Sequence, residues 1–191
     1  MRIGLFFGSF NPIHVGHLII ANTIAESGEV DEVWFVVSPQ NPFKKKKTLL
    51  HEFDRYDMVQ QAIVENPKLR VTDVEFKMPK PSYTIDTLAY LSDKYPKHKF
   101  KVIVGEDNLQ HFHKWKNQEQ ILEYYGLIVY PRPNTVKSPL LDHPNVKVIK
   151  APLVDISATF IRDAIRDGKT IRYLVHEAVL ELIKRKKFYL D

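Results

Sequence analysis

The sequence predicts an α/β fold: a doubly wound, mainly parallel sheet with helices on both faces. Three observations carry that expectation. Short β-branched or aromatic runs alternate with longer amphipathic ones along the chain. The helical stretches stop at turn residues such as Gly28, Asn66-Pro67 and Pro96. With 191 residues, 44% of them apolar and 12% aromatic, the chain can bury one substantial core. Strands that alternate with helices imply right-handed crossovers, and such sheets take ligands beyond the carboxyl ends of their strands.

The elements follow in order. Residues 3–7 (IGLFF) form an apolar run closed by Gly8 and read as the first strand; residues 15–27 carry helical spacing up to Gly28. Residues 32–37 (EVWFVV) read as a strand, 52–65 as a helix closed by Asn66-Pro67, 69–76 as a strand and 84–95 as a helix ending before Pro96. Strands at 100–104, 127–130 and 146–149 and helices at 118–125, 158–167 and 176–187 complete the pattern. Residues 38–50 and 131–144 lack periodicity and read as binding loops rather than linkers. We expect one domain over residues 1–191, with a C-terminal helical part from about residue 157.

Composition narrows the function classes. No stretch approaches ~20 consecutive apolar residues and no secretory signal pattern opens the chain, so a cytoplasmic protein without a membrane partner is expected. The absence of cysteine excludes disulfides, thiolate zinc sites and thiol redox chemistry. Against 23 acidic residues stand 28 Lys and Arg, a formal charge of +5 that favours anionic partners. Of two lysine-rich runs, the one at 184–187 closes the last helix and complements its dipole. The run at 44–47 lacks the interleaved aromatics of single-strand nucleic-acid binders, so no nucleic acid is expected. The assembly state stays open, and a homo-oligomer is compatible with the chain.

Chemistry concentrates after the first strand, in GSFNPIHVGH. The loop and a helical first turn meet at the sheet's carboxyl edge, where unpaired N–H groups and the helix dipole attract phosphate. Residues three apart share a helical face, so His14 and His17 can point together, with Gly16 allowing close approach. The pair could ligate a metal, cap the loop, or donate to phosphate oxygens. A third metal ligand is not evident nearby, and the third reading fits the location best. The stretch Ser9-Phe10-Asn11-Pro12-Ile13-His14-Val15-Gly16-His17 resembles the [ST]FxPxHxGH signature of the nucleotidyltransferases, whose histidines line the ATP phosphates. That resemblance implies a Rossmann-like fold, with ATP at Gly8, Ser9, Phe10, His14 and His17.

A second stretch begins the helix near residue 158, with Ser157 as its expected N-cap. Arg162 stands near the positive end of that helix, where a bound anion explains a cation better than helix stability does; the plain alternative is an ion pair with Asp155 or Asp163. Ile156-Ser157-Ala158-Thr159-Phe160-Ile161-Arg162 resembles the superfamily's ISxTxIR motif, which implies triphosphate contacts from Ile156, Ser157, Thr159 and Arg162.

Two further stretches resemble the bacterial nicotinate-mononucleotide adenylyltransferases: Pro81-Ser82-Tyr83-Thr84-Ile85-Asp86-Thr87-Leu88, and Gly105-Glu106-Asp107-Asn108-Leu109 with His113-Lys114-Trp115. On the residues alone, Ser82 or Thr84 can cap the 84–95 helix, or that helix start can meet a carboxylate. Trp115 has polar neighbours and can stack on a flat heterocycle or pack beneath the next helix. Asp107 can accept ribose hydroxyls or cap a helix. The resemblance implies ATP contacts at Gly105 and Asp107. It implies nicotinate mononucleotide contacts at Asn11, Lys44, Tyr83, Thr84, Trp115 and Arg132, and catalytic roles for His14, His17, Lys44 and Arg162. Where the family usually reads GGTFDP, this chain reads Phe7-Gly8-Ser9-Phe10-Asn11-Pro12, so Asn11 removes a negative charge.

The expected activity is adenylyl transfer from ATP to nicotinate mononucleotide, giving nicotinate adenine dinucleotide (deamido-NAD) and pyrophosphate in NAD biosynthesis. Mg²⁺ is expected on the ATP phosphates, with no dedicated protein metal site. The alternative is a related adenylyl- or cytidylyltransferase with another acceptor, nicotinamide mononucleotide or phosphopantetheine.

Overall fold

The computed structural model describes residues 1–39 and 49–190. Its strands are β1 (Arg2–Gly8), β2 (Glu32–Val37), β3 (Leu69–Thr72), β4 (Lys99–Gly105), β5 (Leu127–Tyr130) and β6 (Val146–Val148). They form one sheet in the order β3-β2-β1-β4-β5-β6, with every neighbouring pair parallel. The helices are α1 (Val15–Glu26), α2 (Glu52–Ile63), α3 (Thr84–Lys94), the short α4 (Glu106–Leu109) and α5 (Gln118–Gln120), then α6 (Ala158–Arg166) and α7 (Glu177–Lys186). The expected doubly wound sheet is therefore present, and its Rossmann-like strand order reverses between β1 and β4.

Side chains along each strand alternate between two apolar layers, as the two-residue period requires. In β2, Val33, Phe35 and Val37 face one layer and Trp34 and Val36 the other. The first layer packs under α1, α2, α6 and α7 through Ile24, Met58, Ile161 and Val179. The second packs under α3 and the segment around α4 and α5 through Leu88, Leu91, Leu109 and Ile121. Each such fully buried aliphatic side chain contributes about 1.5–3 kcal/mol. Because Phe6 in β1 pairs with Phe35 in β2 and Ile103 in β4, the loops leaving β1 and β4 open on the same crevice.

Three boundaries differ from expectation. The third strand stops at Thr72, whose hydroxyl accepts the Val74 N–H at 3.2 Å. Residues Val74–Lys77 then form a 3-10 turn that carries Glu75 into the interior. The helix expected over 118–125 changes after α5 into a π-turn, Ile121–Tyr125, closed by the Gly126 N–H on the Ile121 carbonyl at 2.9 Å. Gly126 has φ +74, and a Cβ there would stand 2.6 Å from the Asn145 carbonyl oxygen, so only glycine fits. The loop over 131–144 holds a 3-10 turn, Pro139–Asp142. Lys44 and most of the loop over 38–50 lie outside the described residues. Among those described, no helix is long and apolar enough to cross a membrane.

Candidate active site

The chain leaves β1 at Gly8 and folds Phe10 back into the core. Phe10 has φ +45 and is 2% exposed, with its ring 5.1 Å from His17, 5.3 Å from Phe35 and 5.9 Å from Phe6. A Cβ at Gly8 would come 2.7 Å from the tip of that ring. Both residues were expected at the nucleotide; the Phe10 ring packs under His17, and Gly8 leaves room for it.

His14 is the extended N-cap of α1, and its N–H donates to His17 Nδ1 at 3.3 Å. With Nδ1 accepting, the neutral His17 ring carries its proton on Nε2. The two imidazoles stack with centroids 3.7 Å apart and planes 28° from parallel, so they share a face as the spacing predicts. Part of the backbone of this turn is used internally, since the Val15 N–H donates to the Leu174 carbonyl at 2.9 Å. The His14 and Val15 amides are both used inside the protein, and both imidazoles line the cavity described below.

His14 is buried, and burial first, then the charge of Arg132, depresses its pKa to about 4. At neutral pH its ring is uncharged. Its buried Nδ1 has no hydrogen-bond partner among the described residues, and neither have Arg132 Nε and Arg162 Nε. His14, Gly16, His17, Tyr130, Arg132 and Val154 line one narrow cavity of about 10 Å³. A Cβ on Gly16 would approach His14 Nδ1 to 3.0 Å and Val154 to 3.2 Å, so the missing side chain makes room for the ring.

Arg132 enters this cavity from the loop after β5. Its guanidinium carbon lies 5.3 Å from the Tyr130 ring centroid, and its Nε lies 3.7 Å from Asp107 Oδ1, too long for a hydrogen bond. Asp107 belongs to α4 at the end of β4, and a Cβ on Gly105 would collide with its carboxylate. Asp107 does not cap that helix, whose N-cap is Gly105.

Arg162 comes from α6, where Ser157 is the N-cap and accepts the Phe160 N–H at 3.1 Å. Its Nη1 donates to the Asn11 carbonyl at 2.8 Å and its Nη2 to the Thr159 hydroxyl at 3.1 Å. Asp163 pairs with Arg166 instead, at 2.7 Å. The α6 arginine thus reaches the loop that carries His14. Ser157 and Thr159 are exposed beside it, and Ile156 packs partly against the core.

The acceptor stretches meet through Lys116. Its ammonium sits 4.8 Å over the Tyr83 ring and 2.9 Å from Asp86, joining the start of α3 to the residue after Trp115. Trp115 is half-buried against Phe112, ring centroids 5.3 Å apart, and also borders an open hollow with Asn117 and Gln118. Neither Ser82 nor Thr84 caps α3; the N-cap is Tyr83, without a side-chain bond. Ser82 donates to Glu75 at 2.9 Å, beside Thr87 at 2.8 Å, because the buried carboxylate needs those donors.

Three organising residues carried no sequence signal. Glu75 is one, its carboxyl pushed up by burial and held also by the Ser38 hydroxyl. Arg55 is fully buried and donates to the carbonyls of Leu50 at 2.9 Å, Ser9 at 2.5 Å, Ser38 at 2.8 Å and Pro39 at 3.2 Å. Tyr189 donates to Asn11 Oδ1 at 2.9 Å.

A doubly wound sheet whose switch crevice presents paired imidazoles and guanidinium groups, with no glycine-rich phosphate loop, defines a nucleotidyltransferase. The cytidylyltransferase-like family model matches residues 5–164. A Cytophaga hutchinsonii protein named "Probable nicotinate-nucleotide adenylyltransferase" is 64% identical over 99% of this chain and 98% of its own. A Flavobacterium psychrophilum protein of the same name is 50% identical over 99% of both. The solved structure of Plasmodium falciparum nicotinic acid mononucleotide adenylyltransferase complexed with NaAD superposes with a TM-score of 0.83 at 21% identity, covering 98% of this chain and 97% of that one, and so shares the fold. The chain belongs to the nicotinate-nucleotide adenylyltransferases, within the cytidylyltransferase-like family.

Proposed function

We propose that this enzyme joins ATP and nicotinate mononucleotide to give nicotinate adenine dinucleotide and pyrophosphate, a step of NAD biosynthesis. The observation that supports the site assignment is the set of buried nitrogens without a hydrogen-bond partner among the described residues, His14 Nδ1 and Arg132 Nε on one cavity and Arg162 Nε, whose guanidinium reaches the same loop. Buried polar nitrogens left unpaired favour a ligand rich in acceptor oxygens, and a triphosphate is one.

The 5′-phosphate oxygen of the mononucleotide attacks the α-phosphorus of ATP; that bond forms as the α–β bridge breaks and pyrophosphate leaves. The attacking phosphate is already ionised, so the reaction needs no protein nucleophile and no strong base. A histidine depressed to about pH 4 suits this, since it is a poor base and a neutral hydrogen-bonding group. His14, His17, Arg162 and Lys44 are assigned to the charge that builds on the phosphates. Gly8, Ser9, Phe10, Gly105, Asp107, Ile156, Ser157 and Thr159 are assigned to the ATP side, the first three through backbone or hydroxyl. Asn11, Tyr83, Thr84, Trp115 and Arg132 are assigned to the mononucleotide.

No three His, Asp or Glu side chains come together as a metal cage among the described residues. The ion is assigned to the substrate phosphates rather than to protein ligands. Bound Mg²⁺ would neutralise charge on the phosphates. The test is product formation from ATP with nicotinate, nicotinamide and phosphopantetheine acceptors in parallel, read by pyrophosphate release and product mass. Nicotinate adenine dinucleotide is the expected main product; preference for another acceptor would overturn the assignment.

A further inference from the structure

We propose that Tyr189 is a positioning residue for the ATP phosphates: its hydroxyl fixes Asn11, and through Asn11 the loop that bears His14 and the guanidinium of Arg162. This rests on the function proposed above. After α7 the chain turns back on itself, with Lys187 at φ 54 and Tyr189 at φ 63, both in the left-handed region that disfavours residues other than glycine. The hook brings the Tyr189 ring against the first apolar layer and aims its hydroxyl at Asn11.

Asn11 receives donors from three remote parts of the chain. Its Oδ1 accepts from Tyr189 at 2.9 Å and from the Leu50 N–H at 3.2 Å, and its carbonyl accepts from Arg162 at 2.8 Å. Two donors on one carboxamide oxygen fix the orientation of the side chain. Arg55 braces the same frame from behind, because it binds both the Leu50 and the Ser9 carbonyls. The Tyr189 hydroxyl lies within the fields of Arg55 and Arg162, yet burial pushes its pKa up, so it remains a protonated donor. A neutral carboxamide at position 11 meets these donors without adding negative charge beside the phosphates.

The Tyr189→Phe variant keeps the ring and deletes only the donor. A non-hydrolysable ATP analogue titrated into wild type and variant should bind the variant about fivefold more weakly, the scale of one neutral hydrogen bond. The KM for ATP should rise in step, the KM for the acceptor should rise by no more than that because Asn11 is also assigned to the mononucleotide, and the melting temperature should fall by a few degrees at most, the scale of one lost hydrogen bond. In the double variant Tyr189→Phe/Asn11→Ala the analogue should bind no more weakly than in Asn11→Ala alone. Unchanged analogue affinity, or losses that multiply in the double variant, would overturn the proposal. A wild-type protein that binds the analogue but makes no dinucleotide would sink the function and leave this test standing.

Discussion

The His14 N–H donates to His17 Nδ1 at 3.3 Å while the two rings stack 3.7 Å apart, so one backbone bond sets both the tautomer and the spacing of the pair. His17 then carries its N–H on Nε2, the group that the proposed function assigns to the phosphates. Replacing it by alanine should lower kcat about a hundredfold, the ~3 kcal/mol typical of one lost oxyanion donor. His17 is only partly buried, so the variant should melt within a few degrees of wild type. Pyrophosphate release at the wild-type rate would refute the role.

His14 makes stability depend on acid. Its folded pKa of about 4 lies below the ordinary 6.5, so between those values the unfolded chain binds a proton that the native ring refuses. Stability should therefore be full above about pH 6.5 and fall as the pH drops toward 4, by about 3 kcal/mol in all. Denaturant midpoints of wild type and His14→Asn, measured at pH 7 and pH 5, separate this contribution from that of the carboxylates. An equal acid dependence in the two proteins would show that His14 contributes none of it.

The order of strands and helices was legible because side-chain period and turn residues are local signals. The pairing of His14 with His17 was legible too, since two histidines flanking a glycine at a strand's end serve no core and their rings do share a face. Arg162 stood out by its position against the helix dipole. What the sequence concealed were polar groups whose partners lie far along the chain. Arg55 looks like a surface residue of an amphipathic helix until four carbonyls from residues 9, 38, 39 and 50 surround it. Glu75 interrupts an apparent strand because its carboxylate turns inward to hydroxyls at 82 and 87. Phe10 was hidden for the opposite reason: an apolar residue inside a ligand motif was read with the motif, although its ring belongs to the core.

Arg55 yields a stability prediction. A lysine ammonium at that position cannot reach the carbonyls on both sides of the residue 40–48 segment, whereas the planar guanidinium spans them. Arg55→Lys should lose about 2–4 kcal/mol, one or two charge-assisted hydrogen bonds, as read by urea denaturation. Arg2→Lys is the control, because the Arg2 pair with Asp31 is half-exposed and its loss should barely move the midpoint. Equal midpoints for wild type and Arg55→Lys would remove Arg55 from the frame.

Gly16 distinguishes packing from function. Replacing a glycine within a helix by alanine ordinarily stabilises by up to about 1 kcal/mol, through lost freedom of the unfolded chain. At position 16 the added methyl group would press to 3.0 Å from His14 Nδ1 and 3.2 Å from Val154, tighter than ordinary contact. Val154 lies in a segment without regular structure and can yield, while the His14 ring is sandwiched between His17 and the cavity wall. The two effects should nearly cancel in stability, leaving the melting temperature within a few degrees. They do not cancel in geometry, since a ring displaced by a few tenths of an ångström leaves the position that the proposed function requires of it. Gly16→Ala should therefore fold normally and turn over about tenfold more slowly, on the scale of a misplaced catalytic group. Steady-state rates at saturating ATP and mononucleotide, beside a thermal melt, decide it: a variant equal to wild type in turnover would mean that the position of the His14 ring is immaterial to the reaction.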